Sequence, residues 1–189
     1  MNPYETCPVY ENENYLLRLV EPSDAADLLL VYSDEKAVPC FNGDNCHGDN
    51  FHYTSMERME SAIRFWLLAY EQKAFVRWAI TDKKVSRAVG TIELFNRQAA
   101  DYYNNCGLVR LDLRSDYEQS EHIREILSLI VPPAFDLFDC QMLATKIRPF
   151  AVCRKEAAEA LGFRACAEKL VGGDDGREYG DYYVTCCCT

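Results

Sequence analysis

The sequence predicts one mixed α/β domain over residues 1–189, built from about seven strands in a central sheet with flanking helices. Three observations predict it. Apolar residues recur every second position in some stretches and every third or fourth in others, the periods of strand and helix. These stretches run in the order strand, helix, helix, three strands, helix, strand, helix, two strands. No repeat and no Pro-, Gly- or Ser-rich linker divides the chain, whose 189 residues suit one domain with a sizeable core.

Residues 1–14 are polar and acidic and read as a flexible, solvated lead-in. Tyr15–Val20 (YLLRLV) is a first strand, and Glu21-Pro22-Ser23-Asp24 starts a helix to about Ser33, with Pro and acidic caps in first-turn places. Residues 34–54, with Pro39, Gly43 and Gly48 among several Asn and Asp, form a long irregular loop. Ser55–Ala74 is an amphipathic helix with Met59, Ile63, Trp66, Leu67 and Tyr70 on one side; Phe65, Trp66 and Tyr70 read as core before pocket. Phe75–Thr81 and Ala88–Phe95 form a hairpin around Asp82-Lys83-Lys84, and residues 96–105 are a loop.

The stretch from Leu108 to Phe138 organises the rest. A strand (Leu108–Leu113) turns at Arg114–Tyr117 into a helix with Ile123, Ile126, Leu127 and Ile130 on one face. Such a turn aims the first-turn N–H groups beyond the strand end, a natural anion site. Pro132-Pro133 predicts a kink or break, because Pro133 cannot donate to Leu129. Gln141–Ile147 is a strand, Val152–Leu161 a helix capped by Gly162, and Phe163–Val171 and Tyr179–Cys187 are strands joined by the Gly172–Gly176 turn.

The net charge of −10, with a pI near 4.8, argues against nucleic acid or an anionic membrane as partner. No apolar run approaches the roughly 20 residues of a membrane span, and no secretory signal pattern opens the chain, so the expected place is the cytoplasm. Its ten cysteines then read as reduced thiols. Cys40, Cys46, His47 and His52 share one loop, yet their spacing fits no common zinc site, and no metal is expected. Cys186-Cys187-Cys188-Thr189 lacks the aliphatic pair of a prenylation box and reads as terminal-strand thiols.

Six segments in order carry a resemblance: YLLRLVEPSDAADL (Tyr15–Leu28), VGTIELF (Val89–Phe95), LDLRSDY (Leu111–Tyr117), PAFDLF (Pro133–Phe138), EALGF (Glu159–Phe163) and DYYV (Asp181–Val184). Together they resemble the GNAT superfamily of N-acetyltransferases, in the branch that acetylates ribosomal-protein N-termini and similar small amines. The resemblance implies a GNAT-like fold in which two central strands splay apart around acetyl-CoA, with the pyrophosphate on the helix after Tyr117. It implies contacts to acetyl-CoA from Leu111, Leu113, Arg114, Gln119, Ser120, His122, Ile123 and Arg124.

Where the family carries a glycine-rich loop, this chain reads Glu118-Gln119-Ser120-Glu121-His122-Ile123. Each exposed carboxylate there repels a pyrophosphate by about 1 kcal/mol. Ser115 and Glu118 also have the spacing of a capping box. The family's asparagine and its following small residue on the penultimate helix fall on Ala151 and Arg154, and the helix has no tyrosine.

Transfer to an amine needs a proton acceptor, for which Glu93 is the first candidate and Asp112 the second; the bland reading of either is a carboxylate on a solvated strand face. Two functions are consistent with these residues. One is an acetyl-CoA-dependent N-acetyltransferase for a small-molecule or peptidyl amine, acting as monomer or homodimer. The other is an inactive binding or assembly module that has lost the CoA phosphate site.

Overall fold

The computed structural model of the chain describes residues 2–187. Its strands are β1 (Tyr10–Glu11), β2 (Tyr15–Leu19), β3 (Val76–Asp82), β4 (Arg87–Arg97), β5 (Cys106–Leu113), β6 (Met142–Lys146), β7 (Arg164–Ala165), β8 (Leu170–Val171), β9 (Glu178–Tyr179) and β10 (Tyr182–Cys186). Its helices are α1 (Ala25–Tyr32), α2 (Met56–Glu71), α3 (Ser120–Leu137) and α4 (Val152–Ala160). The main sheet has eight strands in the order β1-β2-β3-β4-β5-β6-β10-β7, one more than the sequence predicts, and β8-β9 form a separate pair.

The extra strand comes from the amino-terminal lead-in, which is not a solvated tail. β1 pairs with β2, the Trp78 indole donates to the Pro8 carbonyl at 2.8 Å, and the Tyr70 hydroxyl donates to the Pro3 carbonyl at 3.0 Å. The last two predicted strands do run antiparallel, but in two pieces: Arg164 and Ala165 pair with β10, and Leu170 and Val171 with β9.

Helices cover both faces of the sheet. Ile123, Ile126, Leu127 and Ile130 of α3 are all buried, in one cluster with Trp78, Ile92 and Leu111. On the opposite face Leu28 and Tyr32 of α1 pack with Met59, Ile63 and Trp66 of α2. Because successive strand residues face opposite ways, Trp78, Ile92 and Leu111 point to α3, while Arg77, Glu93 and Arg110 point to α1 and α2.

Three local expectations change. Residues 115–117 make a short 3-10 turn and α3 starts only at Ser120, so the Ser115–Glu118 capping box does not form: Gln119 makes no side-chain capping bond, its amide donating back to the Asp116 carbonyl, and Glu118 turns elsewhere. α3 also runs unbroken through Pro132 and Pro133 to Leu137, its buried stripe outweighing the lost hydrogen bonds. The loop at 34–54, although irregular, buries Phe41, Asn42, Asp44, Phe51 and Tyr53. Gly162 sits where the sequence places a left-handed cap, at φ +88°.

β5 and β6 are parallel neighbours in this sheet. Their pairing runs from Cys106↔Met142 to Val109↔Thr145 and stops, although β5 continues to Leu113. The two strands therefore part at Arg110.

Candidate active site

Arg77, Glu93 and Arg110 lie opposite one another on β3, β4 and β5 and form a continuous row of charges. Arg77 and Glu93 are each 1% exposed. Glu93 is shared: one oxygen pairs with Arg77 Nη2, and the other accepts from Arg110 Nη1 at 2.9 Å. Burial alone raises the Glu93 carboxyl, but the two guanidiniums outweigh it and hold its pKa below the usual range. It is neither on a solvated face nor a ready base, but an ionised anchor for two arginines.

Asp112 stands one row further along the same face, beside Thr91. Its Oδ2 accepts from the Tyr32 hydroxyl at 2.8 Å and from Arg77 Nη1 at 3.1 Å. Burial raises its pKa against the pull of Arg77 and that hydrogen bond. Close approach of β4 and β5 here needs Gly90, since a Cβ there would meet the Asp112 carbonyl at 2.3 Å.

Beyond Arg110, the space between the parted strands is bridged by side chains absent from the sequence-predicted site. Arg110 Nη2 donates to the Asp44 carbonyl at 2.9 Å. The Asp44 carboxylate pairs with Lys146 of β6 and accepts from the Tyr182 hydroxyl at 3.1 Å. Arg154 of α4 is buried; its Nη1 donates to the Leu111 carbonyl at 2.8 Å and to that of Cys40 at 3.1 Å, while its guanidinium forks onto Glu118, with Nε to Oε2 at 2.9 Å. The loop through Cys40–Asp44 is thereby tied across the mouth of the splay.

The helix end itself stays open to an anion. Before the first intrahelical bond, from Ile123 N to the Gln119 carbonyl (3.0 Å), come the N–H groups of Ser120, Glu121 and His122. The side chains of the proposed cofactor set, by contrast, are drawn to different partners, Gln119 Nε2 donating to the Asp116 carbonyl at 3.0 Å. Ser120 Oγ donates to Glu156 (2.9 Å), Arg114 pairs with Asp116 (2.6 Å), His122 Nδ1 lies 2.6 Å from the Tyr15 hydroxyl, and Ile123 is core. Arg124 is exposed. Three first-turn N–H groups would suit the phosphate end of acetyl-CoA, with Glu118 paired to Arg154 and Glu121 left as an opposing charge, while Arg154 occupies the Leu111 carbonyl beside the parted strands.

On the α2 side of the same row opens a cavity of about 590 Å³, lined by Arg77, Glu93 and Arg110, by Arg58 and Asp49, and by several aromatic rings. Phe65, expected as core, is 60% exposed and lines it, whereas Trp66 is buried in the core as expected and lines it with one side. Among the described residues no group of three or more His, Cys, Asp or Glu side chains gathers as a metal would need. His47 instead points toward Asp174, 3.6 Å away, and the Cys46 thiol donates to the Asp44 carbonyl. Cys188 and Thr189 lie outside the described residues.

The profile of a family described as Acetyltransferase (GNAT) domain matches residues 14–164. The chain belongs to the GNAT acetyltransferase family. Its N-acetyltransferase fold is shared with RimJ of Mycobacterium smegmatis, a structure in complex with CoA-disulfide, at a TM-score of 0.72 and 14% identity over 98% of this chain and 90% of that one. Ribosomal-protein-S5-alanine acetyltransferase of Vibrio fischeri aligns at a TM-score of 0.68 and 16% identity, over 94% of each chain. A GNAT-family acetyltransferase of Bacillus anthracis aligns at 0.66 and 13%, over 95% of this chain and 98% of that one. No curated protein sequence matches. Among the described residues no helix of this GNAT chain is long and apolar enough to cross a membrane.

The GNAT frame is legible in the sequence, but the charged row is not. Arg77 and Arg110 read as ordinary polar positions of alternating strands. The available signal is that both fall inside otherwise apolar strands, with Glu93 between them in the chain.

Proposed function

We propose that this protein is a cytoplasmic, acetyl-CoA-dependent N-acetyltransferase whose acceptor amine enters the cavity in front of α2. One observation carries the reading: the cavity reaches β5 at Arg110, the residue at which β5 and β6 part. An acceptor held there stands on one side of the sheet, with the open end of α3 on the other.

Within that reading the N–H groups of Ser120, Glu121 and His122 seat the phosphates, and the Leu111 carbonyl is the rail beside which the thioester arm lies. Acetyl-CoA supplies the acyl group: the amine nitrogen bonds to the acetyl carbon as the C–S bond breaks and the thiolate leaves. Glu93 is assigned a positioning role, fixing Arg77 and Arg110. Asp112 has the raised pKa of the two carboxylates, but it is buried against Tyr32 and Arg77 and lines no part of the cavity, so it is assigned no contact with the amine. An amine already neutral near pH 7 makes the smallest demand on such a site.

The second reading, a GNAT-fold binding module without transferase activity, is favoured by the Arg154–Glu118 pair seated on Leu111. Calorimetric titration with acetyl-CoA and with CoA separates the two. Micromolar binding, together with acceptor-dependent release of free thiol, supports the transferase. Absence of heat and of any thermal shift at millimolar ligand rejects it and leaves the module.

A further inference from the structure

The chemistry of the α2-side cavity is specific enough to name a ligand class. Its volume of about 590 Å³ lies in the range of small-molecule sites. Phe51, Tyr53, Phe65, Trp66, Phe75 and Phe95 contribute rings to its wall, so a flat aromatic ligand finds stacking partners on several sides.

The polar groups of the lining are unevenly spent. Both carboxylates are engaged: Glu93 by two arginines, and Asp49 by Arg58 at 2.7 Å and by the Tyr53 hydroxyl at 2.9 Å. The arginines are engaged too, but Arg77 and Arg110 each keep one donor without a partner. Nε of Arg77 and Nε of Arg110 are both buried without an acceptor. Arg77 uses its other donors on Tyr32, Thr91, Asp112 and Glu93, and Arg110 uses its own on Glu93 and the Asp44 carbonyl. The two Nε atoms are themselves closed off from the cavity, so what the two lining guanidiniums offer a ligand across its wall is positive charge, only partly balanced by the one carboxylate of Glu93 between them. Arg58, Arg77 and Arg110 also outnumber Asp49 and Glu93, three charges to two, in a chain whose net charge is −10. An alkylammonium group would find no free carboxylate here.

We propose that this cavity binds a small aromatic carboxylate, its ring among the wall aromatics and its carboxylate turned to Arg77 and Arg110. Binding itself is independent of the transferase reading; only acetyl transfer to the bound ligand rests on it. In that case the ligand also carries the acceptor amine, and a ring-bound amine, neutral near pH 7, suits a site without an unengaged base.

The test is binding of 4-aminobenzoate to the full chain, measured by Trp fluorescence and calorimetry without acetyl-CoA. The comparison ligands are 4-aminobenzamide, which keeps the ring and loses the charge, and cyclohexanecarboxylate, which keeps the charge and loses the ring. Each is expected to bind at least tenfold more weakly than 4-aminobenzoate. Arg110→Met is expected to abolish the preference for the acid over the amide. Because that variant risks the fold, Ser61→Trp gives a second readout. Ser61 is an exposed α2 residue at the cavity lining, and its replacement is expected to block binding with an unchanged melting temperature. Equal affinity for acid and amide, or no binding by the acid at millimolar concentration, overturns the proposal. Acetyl-CoA added afterwards keeps the two readings apart. Binding without thiol release rejects the transferase alone, and transfer to other amines without aryl-carboxylate binding rejects this inference alone.

Discussion

Arg77 and Glu93 face each other across β3 and β4, in register and ion-paired, each with about 1% of its surface exposed. Arg110 completes the row from β5, so one carboxylate is shared by two guanidiniums at the centre of the sheet. A buried pair of this kind contributes little net stability when intact and becomes costly when broken.

Glu93→Gln removes the carboxylate that touches both arginines and is expected to cost about 3 kcal/mol at pH 7, read from urea unfolding. The sign of its pH dependence follows from its lowered pKa. Its contribution is present above the unfolded value near 4.3 and is lost as pH falls through the folded value. The stability gap between wild type and variant should therefore hold from pH 7 to 5 and shrink below about pH 4. A gap that widens with acid would contradict the ionised assignment.

Asp112→Asn should behave in the opposite way. Its folded pKa lies above the unfolded value near 3.9, so ionisation during folding becomes a burden as pH rises between the two. The wild-type advantage over the variant is expected to be largest near pH 4 and to decrease toward pH 7. Unfolding midpoints measured over that range would show whether the gap instead grows with pH.

The close backbone approach beside Asp112 makes its own prediction. A methyl at Gly90 would lie 2.3 Å from the Asp112 carbonyl and 2.7 Å from Leu113 Cδ2, with both residues buried. Gly90→Ala is expected to destabilise by about 2–3 kcal/mol, since neither a carbonyl in a ladder nor a packed leucine can yield freely. A variant with a wild-type midpoint would show that β4 and β5 sit further apart.

The residues legible in the sequence are those whose placement depends on local period. Ile123, Ile126, Leu127 and Ile130 recur at helical spacing and are buried, and Gly162 stands just past the end of α4 in the left-handed conformation. Glu118 and Arg154 stand out in the sequence as departures from the family pattern, but their pairing, like that of Asp44, is not legible, because it depends on partners far along the chain: Glu118 on α4, Asp44 on Lys146. A capping box spanning four consecutive residues loses to an ion pair that closes 36 residues away. Local propensity cannot weigh that pair, since its strength comes from burial created by the whole fold. The lead-in departs from expectation for a similar reason: its few apolar groups, Tyr4 and Tyr10 among them, find their ring partners only on the finished sheet, in Tyr70, Phe138 and Trp78.

Arg154 and Glu118 decide between the two functional readings, and they can be removed together. Arg154→Ala alone leaves Glu118 largely buried without its counter-ion and is expected to cost about 3 kcal/mol or more. Pairing it with Glu118→Ala removes both charges, so much of that loss should be recovered. The double variant also frees the Leu111 carbonyl and takes one of the two carboxylates from residues 118–123. If the pair is a latch over a working site, CoA should bind the double variant at least tenfold more tightly than wild type, by calorimetry at matched salt. If the pair replaced a lost site, the affinity should stay undetectable in both proteins, because Glu121 still faces any phosphate and nothing else in the loop compensates it. A folded double variant without CoA binding would therefore remove the transferase reading and leave the module.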